Sequence, residues 1–254
     1  MQILITILVT FFAGMGAGLG TGFAGMSAAA VISPMLITFL GMDPYMAVGI
    51  ALSSDVLASA ISAYTYGKNK NLDIKNGIIM LISVLCFTMV GSYVSSLVPG
   101  TTMGNFSVFM TMLLGIKFLV RPVMAPKASF TNASPKQKVV RSILCGVLIG
   151  FICGFIGAGG GMMMLLVLTS VLGYELKTAV GTSVFIMAFT AFTGSASHFI
   201  LGGIPDFWAL LFCVASTLLW ARIAAVIANK ASAKTLNRVT GVVLLVLGIV
   251  VLFV

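Results

Sequence analysis

Apolar stretches separated by short polar ones recur along the whole chain. They run approximately over 2–22, 24–40, 44–66, 76–98 and 103–120, and again over 142–157, 160–173, 176–201, 207–229 and 236–254. A polar stretch holding Pro122, Pro126 and Pro135 divides the two groups. Inside a bilayer each backbone N–H and C=O must be bonded within its own segment, so these runs predict helices. A full crossing takes about 20 residues. The segments 24–40, 142–157 and 160–173 fall short of that, the last reaching only about 21 Å at 1.5 Å per residue. The expected fold is all-α, a polytopic membrane protein with about eight to ten transmembrane or partly re-entrant helices.

Composition agrees with the pattern. Of the 254 residues 60% are hydrophobic and 7% charged, whereas a soluble domain carries about 25% charged residues. A formal charge of +9 would suggest nucleic acid in a soluble protein. Here the basic residues sit between apolar runs, which fits positive loops on the cytoplasmic side and no nucleic-acid partner. The run Met1 to Phe12 lacks a basic leader and its hydrophobicity continues, so it reads as a first span rather than a cleaved signal. Cys86, Cys145, Cys153 and Cys213 lie in apolar segments without CxxC spacing and read as buried small hydrophobes.

A repeat underlies the pattern. Sliding the chain by 132 positions lays Gly14, Gly18, Gly22 and Gly25 on Gly146, Gly150, Gly154 and Gly157, and Ala47-Val48-Gly49 on Ala179-Val180-Gly181. Six of the eight glycines in 14–49 meet a glycine, where composition alone gives about one. Charge orients the two copies. Lys68, Lys70 and Lys75 fill one loop, Arg121, Lys127, Lys136, Lys138 and Arg141 fall in the linker region, and Lys230, Lys234 and Arg238 fill a third, while 99–102 and 202–206 hold no Lys or Arg. With the basic regions cytoplasmic, loop 67–75 is inside and its repeat mate outside. The chain therefore divides into a first inverted repeat over 1–121, a cytoplasmic linker over 122–141 and a second inverted repeat over 142–254. Inverted repeats with broken helices near the midplane are typical of transporters.

Candidate chemistry gathers at the centre of each repeat. Four glycines fall in Gly157-Ala158-Gly159-Gly160-Gly161, too many for a helix interior when each costs about 1 kcal/mol against Ala. Such a turn bares N–H groups at the start of the next helix, which suits an anion; close helix packing is the other reading. Gly25, Met26 and Ser27 are the first-half counterpart, with the Ser27 hydroxyl in place of a glycine. Gly159, Gly160, Gly161, Gly25, Ser27, Ser53, Ser54, Thr182 and Ser183 are thus the candidate substrate-binding residues, although hydroxyls in membrane helices also bond their own carbonyls. Gly14, Gly18 and Gly22, like Gly146, Gly150 and Gly154, read instead as helix-contact faces. Asp55, in mid-span and too short to snorkel, and Arg222 are the candidates for coupling or charge balance. Asp55 could equally be a satisfied structural group or simply neutral, and Arg222 could snorkel, pair with Asp55 or contact substrate. Lys117 reads as snorkelling, and His198 as an interfacial hydrogen-bonding group.

These residues together resemble the TauE/SafE family of sulfite exporters, also called TSUP after 4-toluene sulfonate uptake permeases. The family pattern is a glycine cluster, a short apolar stretch often with Pro, then Gly and an Ala-x-x-Thr-Ser segment, twice over. Gly157 to Gly161, Gly173 and Ala179-Val180-Gly181-Thr182-Ser183 match it in the second copy, and Gly25, Pro34, Gly41 and Ala47-Val48-Gly49 in the first. Ile50-Ala51 stands where the first copy would have Thr-Ser. The resemblance implies export of small sulfur-containing anions such as sulfite or organosulfonates, or of other organic anions in some members. The residues alone imply a small anionic substrate.

A secondary transporter in the lipid bilayer of a prokaryotic cell membrane, working by alternating access, is the function expected. Its energy would come from a proton or ion gradient or from the substrate's own gradient, since no GxxxxGK[ST] is present. A channel-like permease would need a continuous polar path, and a membrane enzyme a nucleophile or metal cluster that one His and five acids scarcely allow. No cofactor and no metal are expected; a homo-oligomer remains open.

Overall fold

The computed structural model describes residues 2–95, 112–113, 115–123, 134–156, 160–202 and 205–253. Among these lie nine helices: α1 (Gln2–Ala24), α2 (Ala29–Leu40), α3 (Pro44–Lys68), α4 (Ile74–Ser95), α5 (Pro135–Ile156), α6 (Gly160–Ser170), α7 (Leu176–Gly202), α8 (Phe207–Lys230) and α9 (Ala233–Phe253). A further helical turn covers 115–120. Six helices are long and apolar enough to cross a membrane: α1, α3, α4, α7, α8 and α9. The protein is an all-α, multi-pass membrane protein. Its outer surface bears large apolar side chains such as Ile3, Tyr64, Met89, Phe192 and Leu252, as a chain solvated by lipid requires.

The short helices are stopped by glycines. Gly41 takes φ +60° at the end of α2 and Gly173 takes φ +75° after α6, a left-handed turn that side chains with a Cβ resist. The closures are the same bond in both copies. Met42 N–H donates to Leu36 O at 3.3 Å and Tyr174 N–H to Leu168 O at 3.0 Å, each residue 132 positions from its counterpart. At twelve and eleven residues, α2 and α6 measure about 18 and 17 Å. Neither crosses the hydrocarbon.

The mates α3 and α7 pack antiparallel, with Ser53 Oγ 2.6 Å from Ser195 Oγ, while further along Gly181 closes on Tyr66 and Asn71. The glycine faces pack α1 along α8 and α5 along α4, each pair parallel. Cβ atoms added at Gly14, Gly18 and Gly22 would meet Ser216, Thr217 O and Ala224 in turn, and those at Gly146 and Gly150 would meet Ser83 and Val84 O, all within 2.5–2.7 Å. These are the small-residue faces expected from the sequence, and α4 and α8 are themselves repeat mates.

Both hairpins fold back within the bundle. Ile3 and Ile5 of α1 and Phe39 and Leu40 of α2 line one cavity of about 790 Å³ together with Asp206 and Trp208 at the start of α8, so α1–α2 enters and leaves at the same end. At the opposite end Lys177 Nζ donates to Asn229 O at 2.8 Å and Asn71 Nδ2 to Asn229 Oδ1 at 2.7 Å. The α5–α6 hairpin ends there. Gln2 and loop 229–238 therefore lie on opposite faces. Single cysteines placed at each should be labelled from opposite sides by an impermeant maleimide in intact cells. Labelling of both from outside would overturn the topology.

Candidate functional site

The break between α1 and α2 forms the centre of the first repeat. A helix ending inside a membrane leaves its last carbonyls without partners, and here side chains from three other helices supply them. Tyr66 OH donates to Gly22 O at 2.9 Å, Thr240 Oγ1 to Phe23 O at 3.0 Å and Ser183 Oγ to Gly25 O at 3.0 Å. Within the hairpin, Thr21 Oγ1 donates to Met26 O at 2.8 Å. Gly25 makes the reversal at φ +60°, and a Cβ there would stand 2.9 Å from Ser183 Oγ. A ring of hydroxyls thus fixes the break.

Beyond the reversal the chain begins α2, and the N–H of its N-cap residue Ala28 meets Asp55. The carboxylate accepts from Ser27 Oγ at 2.7 Å, from Ser59 Oγ at 2.8 Å and from the Ala28 N–H. Asp55 is 1% exposed, and no ion pair reaches it among the described residues. Three donors and the positive end of α2 hold the buried carboxylate in place of a cation. Ser27 is the hinge of this arrangement, because its Oγ also receives the Ala29 N–H at 3.4 Å.

Gly25, Ser27, Ser183 and Asp55 therefore come together in one connected set. Ser53 and Ser54 turn to other duties: Ser53 Oγ donates to Gly49 O at 2.9 Å and meets Ser195, and Ser54 Oγ donates to Ile50 O at 2.9 Å. Thr182 accepts from the Asp73 N–H at 3.3 Å, at the end of the bundle where Tyr174 OH donates to Asp73 Oδ2 at 2.8 Å. Burial, and then the neighbouring Asp73 carboxylate, push the Tyr174 phenol well above its usual range. Gly160 and Gly161 form the first turn of α6, while Gly157, Ala158 and Gly159 and the His198 side chain lie outside the described residues. Arg222 is exposed on α8 and pairs with no carboxylate among the described residues. The alternative of an Asp55–Arg222 pair is thereby corrected, since a residue on the outer face of its helix cannot turn its guanidinium inward. Lys117 does not simply snorkel: its Nζ donates to Ser170 Oγ at 2.6 Å and to Thr169 Oγ1 at 3.3 Å, placing a cation on the last turn of α6 where the helix dipole favours one.

Among the described residues no group of three His, Cys, Asp or Glu could hold a metal. The outer cavity carries Asp43 and Asp206 on mainly apolar walls, a lining that repels an anion.

A family model described as sulfite exporter TauE/SafE matches residues 10–251. The chain belongs to this family. Relatives with curated names include the probable membrane transporter protein YunE of Bacillus subtilis strain 168, 27% identical over 96% of each chain. Another is the probable membrane transporter protein MJ0441 of Methanocaldococcus jannaschii, 30% identical over 76% of this chain and 71% of its own. A probable membrane transporter protein of Haemophilus influenzae is 27% identical over 80% of this chain and 78% of its own. The protein is accordingly a membrane transporter and not an enzyme. The TauE/SafE match spans both hairpins, so the family's extent includes both breaks.

Proposed function

We propose that this TauE/SafE protein is a secondary transporter that exports a small anion, sulfite or an organosulfonate, across a prokaryotic cell membrane by alternating access of its two inverted halves. The observation that carries this reading is the pair of oppositely directed hairpins, whose short helices begin inside the protein, where a helix start favours an anion. Gly160 and Gly161 open α6 without a Cβ, so an oxyanion can approach the main chain closely. Ser27 and Ser183 supply hydroxyls at the other break, and Asp55 balances charge within the membrane.

Flux of sulfite into proteoliposomes tests the reading: saturable uptake supports a carrier, and uptake linear in concentration overturns it in favour of a channel. Thermal unfolding against sulfite, sulfate, thiosulfate, sulfoacetate and carboxylates orders the ligands, since an anion at 100 times its Kd stabilises by about 2.7 kcal/mol. Replacing Asp55 with Asn, which keeps the shape and removes the charge, is expected to lower transport at least about tenfold. Normal transport with an unchanged pH profile in Asp55→Asn would show the carboxylate to be structural.

A further inference from the structure

The two breaks are not equivalent in sequence, and one set of side chains marks the difference. Asp55, Ser27, Ala28 and Ser59 make the carboxylate seat of the first break. At the mate positions stand Met187, Gly159, Gly160 and Ala191. Carboxylate and both hydroxyl donors are missing together. Met187 is 3% exposed and takes a contact from Ser183 Oγ at 3.7 Å, so the second copy has an apolar side chain where the first has its acid.

We propose that ionised Asp55 is a resident anion of the first break, and that a substrate anion reaches Ser27 and the α2 N-terminus only in exchange, when a proton neutralises Asp55. This rests on the reading of the protein as an anion transporter. Ionised Asp55 only accepts, and it satisfies the hydroxyls of Ser27 and Ser59 and the N–H of Ala28 at once. Addition of a proton to a carboxylate oxygen makes that oxygen a donor and weakens the other bonds. The Ser27 hydroxyl and the Ala28 N–H are then released to a second oxyanion, while Ser59 can turn to the carbonyl four residues back. One proton and one monovalent anion enter together, and the net charge of the buried site is unchanged. The two cannot be present as separate anions, because like charges sharing one seat disfavour each other.

Among the described residues, Asp55 is the charged group buried between α3 and the helices packed against it. Of the helices packed against α3, α1 and α2 carry no charged residue. On α7, Lys177 is engaged with Asn229 at the far end and the His198 side chain lies outside the described residues. On α8, Arg222 and Lys230 are exposed and Cys213 is buried. Ser62, on the same face of α3 as Asp55 and Ser59 at helical spacing, is fully buried with an Oγ that has no partner. A buried hydroxyl of that kind calls for water or a passing donor. It stands between Asp55 and Tyr66, towards the end of the bundle at loop 67–75.

Hydrogen–deuterium exchange of the full chain in lipid nanodiscs reads the α2 amides without any substrate. Asp55→Asn takes the charge from all three bonds to the carboxylate and Ser27→Ala removes one of them, and each is expected to speed exchange across 26–32 about tenfold or more. Exchange across 164–170 should not change. An Asp55→Asn protein whose 26–32 segment exchanges like wild type overturns the seat. Counterflow of sulfite and of methanesulfonate, whose charge does not change with pH, supplies the readout that loose packing would not move. Wild type should run faster at about pH 6 than at about pH 8, and Asp55→Asn equally at both. Equal wild-type methanesulfonate rates at the two pH values overturn the exchange. If neither anion moves at all, the assignment of substrate fails while the amide exchange still decides the seat.

Discussion

Alanine at Gly18 or at Gly150 is expected to destabilise the protein by about 1–3 kcal/mol, with thermal unfolding as the measurement. The new methyl of Gly18→Ala would stand 2.6 Å from Thr217 O and 2.7 Å from Ala221 N, and that of Gly150→Ala 2.5 Å from Val84 O. Those are backbone atoms of helical turns and cannot swing aside, so the helix pair must separate. Separation loses van der Waals contact along the whole seam, and in a bilayer that contact is the main force joining helices. Gly41→Ala is the control. Nothing lies within 4 Å of its new methyl, and only the left-handed φ of +60° opposes it, a cost of about 1–2 kcal/mol. Substitution at Gly18 should lower the melting temperature more than substitution at Gly41, with anion affinity little changed. A Gly18→Ala protein as stable as wild type would mean that α1 and α8 are held together by something other than this contact.

Gly160→Asp is expected to abolish anion binding, and Gly160→Ala to weaken it clearly, in protein that still folds and inserts. Gly160 is the first residue of α6, where N–H groups have no partner within the helix. A side-chain carboxylate at that position supplies internally the negative charge that the helix start would otherwise take from a ligand. The first break already holds such a carboxylate in Asp55, so the substitution copies an arrangement that the fold accepts. Affinity and melting temperature measured together separate the outcomes. Early melting with normal affinity in Gly160→Ala would assign the glycines to packing.

Much of this was legible in the sequence because it is local or periodic. Segment length betrayed the short α2 and α6, but it misjudged 142–157, which belongs to the 22-residue α5 because the polar first turns of that helix lie outside the apolar run; four-residue glycine spacing betrayed the contact faces. Partnerships between distant residues were not legible. Ser59 is one serine among several on α3, and nothing in its neighbourhood says that it and Ser27 share the Asp55 carboxylate. Thr21, Tyr66 and Thr240 look ordinary in the chain, yet each gives its hydroxyl to a carbonyl at or beside the first break. That need arises only because a helix ends inside the membrane. The inward promise of Arg222 failed for a related reason: position along a helix tells depth, whereas which way a residue faces depends on the neighbours.

The antiparallel crossing of α3 and α7 also carries history. Two copies of one sequence that meet upside down are explained by duplication of a half that once settled in the membrane in both orientations. Such an ancestor could not have had a strong charge preference for either side. The three lysines of loop 67–75, absent from the corresponding stretch 199–207, are therefore later marks that tell the descendants apart. On the same account Asp55 in one copy and Met187 in the other record when the twins ceased to be interchangeable.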